Sequence, residues 1–262
     1  MSENKNHQAI DRLLHIMEEL RAKCPWDKKQ TIESLRYLTI EETYELSDAI
    51  LDNDLEEVKK ELGDIMLHIV FYSQIAKEKN AFDFADMVNG ICDKLIKRHP
   101  HVFGEVHVND EEDVKVNWEK IKLSEGRKSV LGGVPKSLPA MVKAFRIQEK
   151  VHGVNFDWEN SSQVLDKVKE EIGEFEQEVK QNNPDKMEEE FGDILFSIIN
   201  YARFLNINPE DALEKTNRKF IRRFQKMEEL IVQKGESLSE MNLTEMDIYW
   251  EKAKTEVHND KE

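Results

Sequence analysis

Two acidic segments, each present twice along the chain, constrain its fold more than any other feature. Within each copy, carboxylates lie in pairs three positions apart, and the pairs are joined by the same number of residues. Every acidic position recurs at a shift of 129, giving the sets Glu42, Glu45, Glu61 and Asp64, and Glu171, Glu174, Glu190 and Asp193. Because residues three or four apart share one face of a helix, each set predicts two helices that carry one acidic pair apiece.

The position of the turn between these helices predicts that the acidic pairs face each other. If Asn182 is the turning point, Glu174 precedes it by 8 residues and Glu190 follows it by 8, and the same symmetry holds around Asn53. A short turn makes consecutive helices antiparallel, and the acids continue apolar stripes with heptad-like spacing. Inward carboxylates repel one another without a cation. All-oxygen ligands favour Mg²⁺, for which Mn²⁺ could substitute.

Hydrophobic periodicity predicts helices along the whole chain and no convincing strand. The predicted helices cover about residues 7–22, 31–51, 55–79, 84–98, 110–124, 139–151, 161–181, 184–205, 209–235 and 244–257. A Gly/Pro/Ser-rich segment, residues 126–138, predicts a linker between an N-terminal lobe, residues 1–125, and a C-terminal lobe, residues 139–262. The predicted fold is therefore all-α, with two tandem helical-bundle lobes that are each built around an antiparallel acidic hairpin.

Charge and composition exclude several classes of function. The net charge of −16 argues against general nucleic-acid binding and against binding to anionic membranes, because both require a basic surface. No apolar stretch has the length of a membrane span, and the N-terminus lacks the apolar run of a signal peptide. Cys24 and Cys92 are too few for a disulfide framework, so the expected location is the reducing cytoplasm.

A basic pair and then a tryptophan follow the acidic hairpin in both halves. In the second half these residues are Lys219, Arg223 and Trp250, and in the first half they are Lys94, Arg98 and Trp118. A lone basic pair near a helix end would suit the helix dipole, but its recurrence favours phosphate contacts. Trp250 could be either a core residue or a platform for a ligand. Trp26, Phe156 and Trp158 are predicted to be core or loop anchors.

Together these residues resemble the MazG family, two-lobed members of the all-α nucleoside triphosphate pyrophosphohydrolase superfamily. The resemblance covers nearly the whole chain and includes Cys24-Pro25-Trp26-Asp27 with Gln30-Thr31, Arg98-His99-Pro100-His101-Val102-Phe103, and Phe156-Asp157-Trp158. It implies Mg²⁺-dependent cleavage of ribo- and deoxyribonucleoside triphosphates between the α and β phosphates. It also implies a homodimer that clears non-standard nucleotides and tempers starvation signalling.

The resemblance also implies roles for individual residues of the second lobe. The metal ligands would be Glu171, Glu174, Glu190 and Asp193, and the nucleotide contacts would be Lys167, Glu171, Glu189, Lys219, Arg222, Arg223 and Trp250. A metal ion held by the acids would bridge the triphosphate and lower the pKa of a bound water. Glu170 or Glu189, next to the ligands, is the candidate general base.

The two lobes differ at positions that bear on activity. Lys167 corresponds to Leu38, and Asn217 corresponds to Cys92, so the first lobe lacks one phosphate contact and one polar group. The C-terminal lobe is therefore predicted to be the main catalyst and the N-terminal lobe to be weak or inactive.

Two other functions are compatible with inward carboxylates. A di-iron bundle requires Glu-x-x-His pairs, and the only such pair, Glu149 with His152, lies outside both hairpins. A non-catalytic interaction protein with a metal-stabilised acidic core would explain the acids, but it would not explain the repeated Lys, Arg and Trp. The sequence indicates neither the preferred base nor the number of metal ions.

Overall fold

The computed structural model describes residues 2–108, 110, 113–114, 117–118, 121, 124–125 and 129–259. Its helices are α1 (Ser2–Lys23), α2 (Ile32–Leu51), α3 (Leu55–Glu78), α4 (Phe84–Arg98), α5 (Pro100–Phe103), α6 (Ala140–His152), α7 (Ser161–Gln181), α8 (Pro184–Phe204), α9 (Pro209–Gln233) and α10 (Leu243–Asn259). These described residues contain no β-strand, which confirms the all-α prediction. The predicted helix over residues 110–124 lies partly outside the described residues.

The chain divides into two compact units, Met1–His107 and Val108–Glu262. The first contains α1–α5 and the second contains α6–α10, so each has one acidic hairpin, α2–α3 or α7–α8. Residues 126–128 of the predicted linker lie outside the described residues. Residues 129–138 fall in the second unit and contain a short 3₁₀ turn, Val130–Gly133. The linker and the lobe boundaries drawn from it stay predictions.

The two hairpins turn at the asparagines that the symmetry of the acids indicated. Asn53 and Asn182 both have left-handed backbone conformation, with φ of 57° and 54°. Asparagine tolerates this conformation better than most residues do. In each turn, the N–H after the asparagine donates to a carbonyl five residues back: Asp54 to Ala49 at 3.0 Å and Asn183 to Glu178 at 3.2 Å. Both hairpins therefore use the same Schellman-type helix ending.

The starts of the second hairpin helices differ in how they are capped. The carboxylate of Asp54 accepts hydrogen bonds from the N–H groups of Glu56 and Glu57 at the start of α3. Asn183 lies at the equivalent position before α8, but its side chain makes no capping hydrogen bond. Pro184 is the first residue of α8, a position at which the missing N–H of proline costs nothing.

Buried residues lie at both ends of the acidic stripe on α2. Leu35 precedes the acids, Ala49 follows them, and both are buried, while Glu42 between them is half-buried. In the first unit α1 packs on α3 around a core that contains Met17 and Phe71. α2 also packs against α3, and Glu42 and Glu45 of α2 converge with Glu61 of α3, so the acidic residues of α2 face α3 as the sequence pattern predicts.

Candidate functional site

Three carboxylates of the second unit converge between α7 and α8. Glu171, Glu174 and Glu190 each place one carboxylate oxygen within 4.8 Å of the other two. Glu171 is only 6% exposed, Glu190 is half-buried, and Glu174 is exposed. Asp193, the fourth predicted ligand, lies outside this group and is exposed. The hairpin geometry therefore unites three of the four predicted acids.

The first unit contains the corresponding group between α2 and α3. Glu42, Glu45 and Glu61 again place one oxygen each within 4.8 Å of the others, and Asp64 lies outside the group. Here the most buried acid is Glu61, which is 1% exposed. Its Oε2 atom is shielded from solvent and has no hydrogen-bond partner. A buried carboxylate oxygen without a partner is costly, and a bound cation would satisfy it.

One carboxyl group in each acidic group has a raised pKa, whereas the hydrogen bond from Lys60 lowers the pKa of Glu61. Burial raises the pKa of Glu42, and the charges of Asp64, Glu45 and Glu61 raise it further. Burial likewise raises the pKa of Glu174, with an added contribution from Glu171. Both causes act because negative charges are gathered away from water. The donor sets, all carboxylate oxygens, fit a hard divalent cation such as Mg²⁺.

A lysine contacts the acidic group of the second unit. Lys167 Nζ lies 2.8 Å from a carboxylate oxygen of Glu170 and 2.8 Å from one of Glu171. Its pKa is raised by these two contacts, which keep it charged. Glu170, one candidate base, is therefore held by Lys167. Glu189, the other candidate, is paired in the same way with Lys186 at 2.5 Å.

The first unit places its lysine on the opposite helix. Lys60 on α3 lies 2.9 Å from the buried Glu61 and 2.5 Å from Glu57. Lys60 occupies the position of Glu189, while the position of Lys167 is taken by Leu38. Among the described ion pairs, the acidic group of the first unit is therefore contacted by a lysine on α3 and that of the second unit by a lysine on α7.

The basic residues predicted to contact phosphate lie on α9, and they are not among the described residues that contact the acidic group. Lys219 and Arg222 are exposed, and Arg223 is half-buried. The Nε atom of Arg223 is shielded from solvent and has no hydrogen-bond partner. None of the described hydrogen bonds or ion pairs joins these three residues to the acidic group. Trp250 on α10 packs against Phe220, with ring centroids 5.2 Å apart, in the α9–α10 core.

The second unit contains a pocket for which the sequence predicted no function. The loop after α6 carries Phe156 and Trp158, which are 77% and 46% exposed. Of the two predicted roles, core residue or loop anchor, the core role is therefore excluded, and both residues lie in a loop. They line a cavity of about 470 Å³ together with residues of α6 and α8, among them Gln148, Phe196 and Asn200. The Phe-Asp-Trp motif was the available signal, but a sequence does not show which aromatic side chains stay uncovered.

Comparison with known proteins identifies the family. Residues 30–103 and 159–227 match the sequence model of the MazG nucleotide pyrophosphohydrolase domain. The chain is 46% identical to the Thermotoga maritima nucleoside triphosphate pyrophosphohydrolase/pyrophosphatase MazG, over 94% of this chain and 95% of that protein. The chain belongs to the MazG family. MazG proteins are hydrolases that act on phosphoric anhydrides, and the resemblance inferred from the motifs is confirmed.

Further relatives extend the MazG comparison. The nucleoside triphosphate pyrophosphohydrolase of Escherichia coli K12 is 43% identical over 94% of this chain and 97% of its own length. A crystal structure of a MazG-related protein from Thermotoga maritima resembles part of the chain, with a TM-score of 0.39 and 29% identity. The matched region covers 43% of this chain and 98% of the crystallised chain.

Among the described residues, no helix is both long and apolar enough to cross a membrane.

Proposed function

We propose that this chain is a Mg²⁺-dependent nucleoside triphosphate pyrophosphohydrolase. It cleaves a broad range of ribo- and deoxyribonucleoside triphosphates between the α and β phosphates, and it releases a nucleoside monophosphate and pyrophosphate. The observation that carries the proposal is the convergence of Glu171, Glu174 and Glu190 on one point. It occurs in a chain whose relatives from Thermotoga maritima and Escherichia coli are named nucleoside triphosphate pyrophosphohydrolases.

The side chains of the second unit suggest how the reaction proceeds. Glu171, Glu174 and Glu190 would hold Mg²⁺, which supplies charge neutralisation and a more acidic water when bound. The ammonium of Lys167, now 2.8 Å from Glu171, would then contact a phosphate oxygen instead of the carboxylate. Glu170, once it separates from Lys167, would accept the proton of the attacking water.

The remaining phosphate charge would be met from α9. Lys219, Arg222 and Arg223 supply three positive groups on one helix, and Arg223 has a buried Nε without a partner. Glu189 is the second candidate base, provided that it leaves Lys186. Asp193, which follows Glu190 by three residues on α8, would complete the metal site as a fourth ligand.

The second unit is the better triphosphate site because its hairpin is less acidic near the turn. In the first unit a cavity between α2 and α3 is lined by Glu45, Asp48, Ala49, Asp52, Asp54, Glu57 and Glu61. Four of these acids lie within five residues of the turn: Asp48, Asp52, Asp54 and Glu57. At a shift of 129, the second unit has neutral or basic residues at these positions, namely Gln177, Gln181, Asn183 and Lys186. A polyanion is repelled by the first set and tolerated by the second. The acidic group of the first unit would then act as a metal-stabilised structural core.

An exposed apolar stripe supports a homodimer. Phe191, Leu195 and Ile198 follow 4, 3 spacing on α8 and are all exposed. Contiguous exposed apolar surface commonly marks an interface.

The cell would use such an enzyme to clear non-standard nucleotides and to temper starvation signalling. Cys24 and Cys92 are free thiols, which agrees with a reducing cytoplasm.

A product assay tests the proposed reaction. The chain is incubated with MgCl₂ and a panel of nucleoside triphosphates, and pyrophosphate is separated from orthophosphate. We expect equal amounts of monophosphate and pyrophosphate, activity with MnCl₂ in place of MgCl₂, and no activity in excess EDTA. Release of orthophosphate, or full activity in EDTA, would contradict the proposal.

A further inference from the structure

We propose that the cavity between α6, α8 and the loop after α6 is the nucleobase site of the second unit. The inference rests on the proposed triphosphate hydrolysis and extends it to the part of the substrate that the acids do not contact. The cavity volume of about 470 Å³ lies within the range of small-molecule sites. Its walls include the aromatic rings of Phe156, Trp158 and Phe196, and every nucleobase has a π-face that stacks on such rings.

A buried amide gives the cavity a reason to bind a polar ligand. Gln148 is 3% exposed, and its Nε2 donates to the carbonyl of Phe196 at 2.7 Å. This contact fixes the orientation of the amide. The other amide atom, Oε1, is shielded from solvent and has no hydrogen-bond partner. An unmet buried acceptor costs free energy. An N–H group on the edge of a base would satisfy it once the ligand displaces the atoms that cover Oε1.

A second amide supplies the complementary donor. Asn200 also lines the cavity, and its Oδ1 accepts from Arg203 Nε at 3.0 Å and from Arg203 Nη2 at 2.9 Å. With Oδ1 occupied in this way, the NH₂ group of Asn200 is the part of the amide that can donate to a ligand. An acceptor on Gln148 and a donor on Asn200 suit all common bases, since each carries a donor beside an acceptor on its pairing edge.

An ion pair holds the aromatic loop in place. Arg203 Nη2 donates to both carboxylate oxygens of Asp157, at 2.6 Å each. Asp157 also lies 2.7 Å from His152 Nδ1. Both partners of the Arg203–Asp157 pair are largely buried, and such hydrogen-bonded pairs fix orientation. Because Asp157 lies between Phe156 and Trp158, the pair positions both rings at the cavity before any ligand arrives.

The register of α8 connects the cavity to the acids. Glu189, Asp193, Phe196, Asn200 and Arg203 follow 4, 3, 4, 3 spacing and therefore form one stripe along the helix. Glu190, the α8 acid of the converged group, lies on the adjacent face of the helix, and along the axis Phe196 is about 9 Å and Asn200 about 15 Å beyond it. A nucleotide whose phosphates lie at the acids would thus have its base over the next turns of α8. Asp193 would lie between the two parts of the substrate.

The first unit fills the equivalent space with its own side chains. Phe71 stands at the position of Asn200 and belongs to the buried core. The guanidinium of Arg21 lies 5.7 Å from the centroid of the Phe71 ring and also pairs with Glu78. A ring therefore replaces the polar amide that would contact a base. This difference assigns nucleotide binding to the second unit, independently of the acids.

Kinetics on the full-length chain test the base site, with ATP as substrate and inorganic tripolyphosphate as a competing ligand that has no base. Phe156→Ala removes an exposed ring, and we expect it to raise KM for ATP roughly 5- to 150-fold with a smaller change in kcat. Asn200→Phe copies the first unit and should raise KM at least as much. Neither variant should change the inhibition constant of tripolyphosphate by more than about 2-fold. Trp26→Ala removes an exposed ring of the first unit and serves as the control with wild-type KM.

The outcomes separate this inference from the proposed reaction. If the wild type hydrolyses triphosphates and Phe156→Ala leaves KM for ATP unchanged, the base site is wrong and the reaction stands. If both variants weaken ATP and tripolyphosphate equally, these residues support the acidic hairpin and do not bind the base. If the wild type releases no pyrophosphate from any triphosphate, the proposed reaction itself is wrong. Phe156→Ala alone decides the test should Asn200→Phe not fold.

Discussion

The hairpins α2–α3 and α7–α8 carry the same acids at the same spacing, but they bury different members of the set. In the first unit Glu61 on α3 is the most buried acid, and Lys60 contacts it. In the second unit Glu171 on α7 is the most buried, and Lys167 contacts it. The spacing and the turn thus determine that three carboxylates meet. Residues one or two positions away determine which carboxylate is desolvated and from which side positive charge reaches it.

The same comparison bears on the proposed division between a structural metal site in the first unit and a substrate site in the second. Both units have three acids that fit a divalent cation, and both have an ammonium group beside them. Only in the second unit does the acid-bearing helix continue into a described cavity whose lining includes polar groups such as Asn200 and Arg203. In the first unit the corresponding turn of α3 carries Phe71 in the core. The four predictions below test this division, from the largest expected effect to the smallest.

Removal of one acid from each unit should give the largest difference in activity between the two variants. We expect Glu171→Ala to lower kcat by roughly 10²- to 10³-fold, as when one group that stabilises transition-state charge is lost. Its counterpart Glu42→Ala is the matched control and should retain at least half of the activity. Pyrophosphate release at saturating Mg²⁺ measures both. A comparable loss in a folded Glu42→Ala chain would show that the first unit takes part in catalysis.

Exchange of the lysine position should have the second-largest effect. Lys167→Leu installs the residue of the first unit, and loss of a charged hydrogen-bond donor to phosphate should lower kcat/KM by about 10- to 100-fold. Lys169→Leu removes a lysine of the same helix whose described ion pair is with the exposed Asp166, and it should leave kcat/KM near the wild-type value. If Lys167→Leu instead binds Mg²⁺ more tightly at an unchanged rate, the lysine is merely a substitute for the ion.

Much of this arrangement follows from local sequence, and the reason is that helical periodicity and turn chemistry are local. The antiparallel hairpins and the turning points Asn53 and Asn182 follow from spacing and from the tolerance of asparagine for left-handed backbone. The convergence of Glu171, Glu174 and Glu190 follows from the same register. These features need no knowledge of which other helices pack nearby.

The features that sequence reasoning missed depend on tertiary packing. Asp193 belongs to the acidic pattern, yet it lies outside the converged group. Spacing alone does not fix the rotation of one helix against the other, which decides how close a carboxylate comes. Trp250 packs in the α9–α10 core, although its repeated setting left its role open. Phe156 and Trp158 are exposed at a cavity, and only the packing of α6 against α8 creates that space.

Metal binding without catalysis should appear as stabilisation of both units. We expect Mg²⁺ at ten times its dissociation constant to stabilise each acidic hairpin by about 1.4 kcal/mol relative to EDTA. Amide hydrogen exchange followed by mass spectrometry reports residues 32–78 and 161–204 separately. Glu61→Gln should remove the effect from the first segment and keep it in the second. If Mg²⁺ protects only residues 161–204 in the wild type, the acids of the first unit do not hold a metal ion.

The smallest expected effect is a pH dependence confined to the first unit. His68 on α3 is buried, with Nδ1 2.7 Å from the hydroxyl of Thr39, and its counterpart on α8 is Ser197, which does not titrate. Burial lowers the pKa of His68, and the charge of Asp64 only partly opposes this. The unfolded chain therefore binds a proton more readily than the folded chain does. The stability that the neutral imidazole contributes is fully present above the pKa of His68 in the unfolded chain, about 6.5. This contribution falls as the pH decreases towards the lower pKa of His68 in the folded chain.

His68→Ser gives the first unit the residue of the second and should abolish this dependence. One proton limits the slope to about 1.4 kcal/mol per pH unit. Hydrogen exchange of residues 32–78 between pH 7.5 and 5.5, corrected for intrinsic exchange, measures it, and residues 161–204 of the same sample serve as the internal control. An equal slope in both segments, or a slope that survives in His68→Ser, would assign the effect to other groups. A slope lost only with His68 would show that a single substitution at one repeated position made one hairpin sensitive to pH and left its twin insensitive.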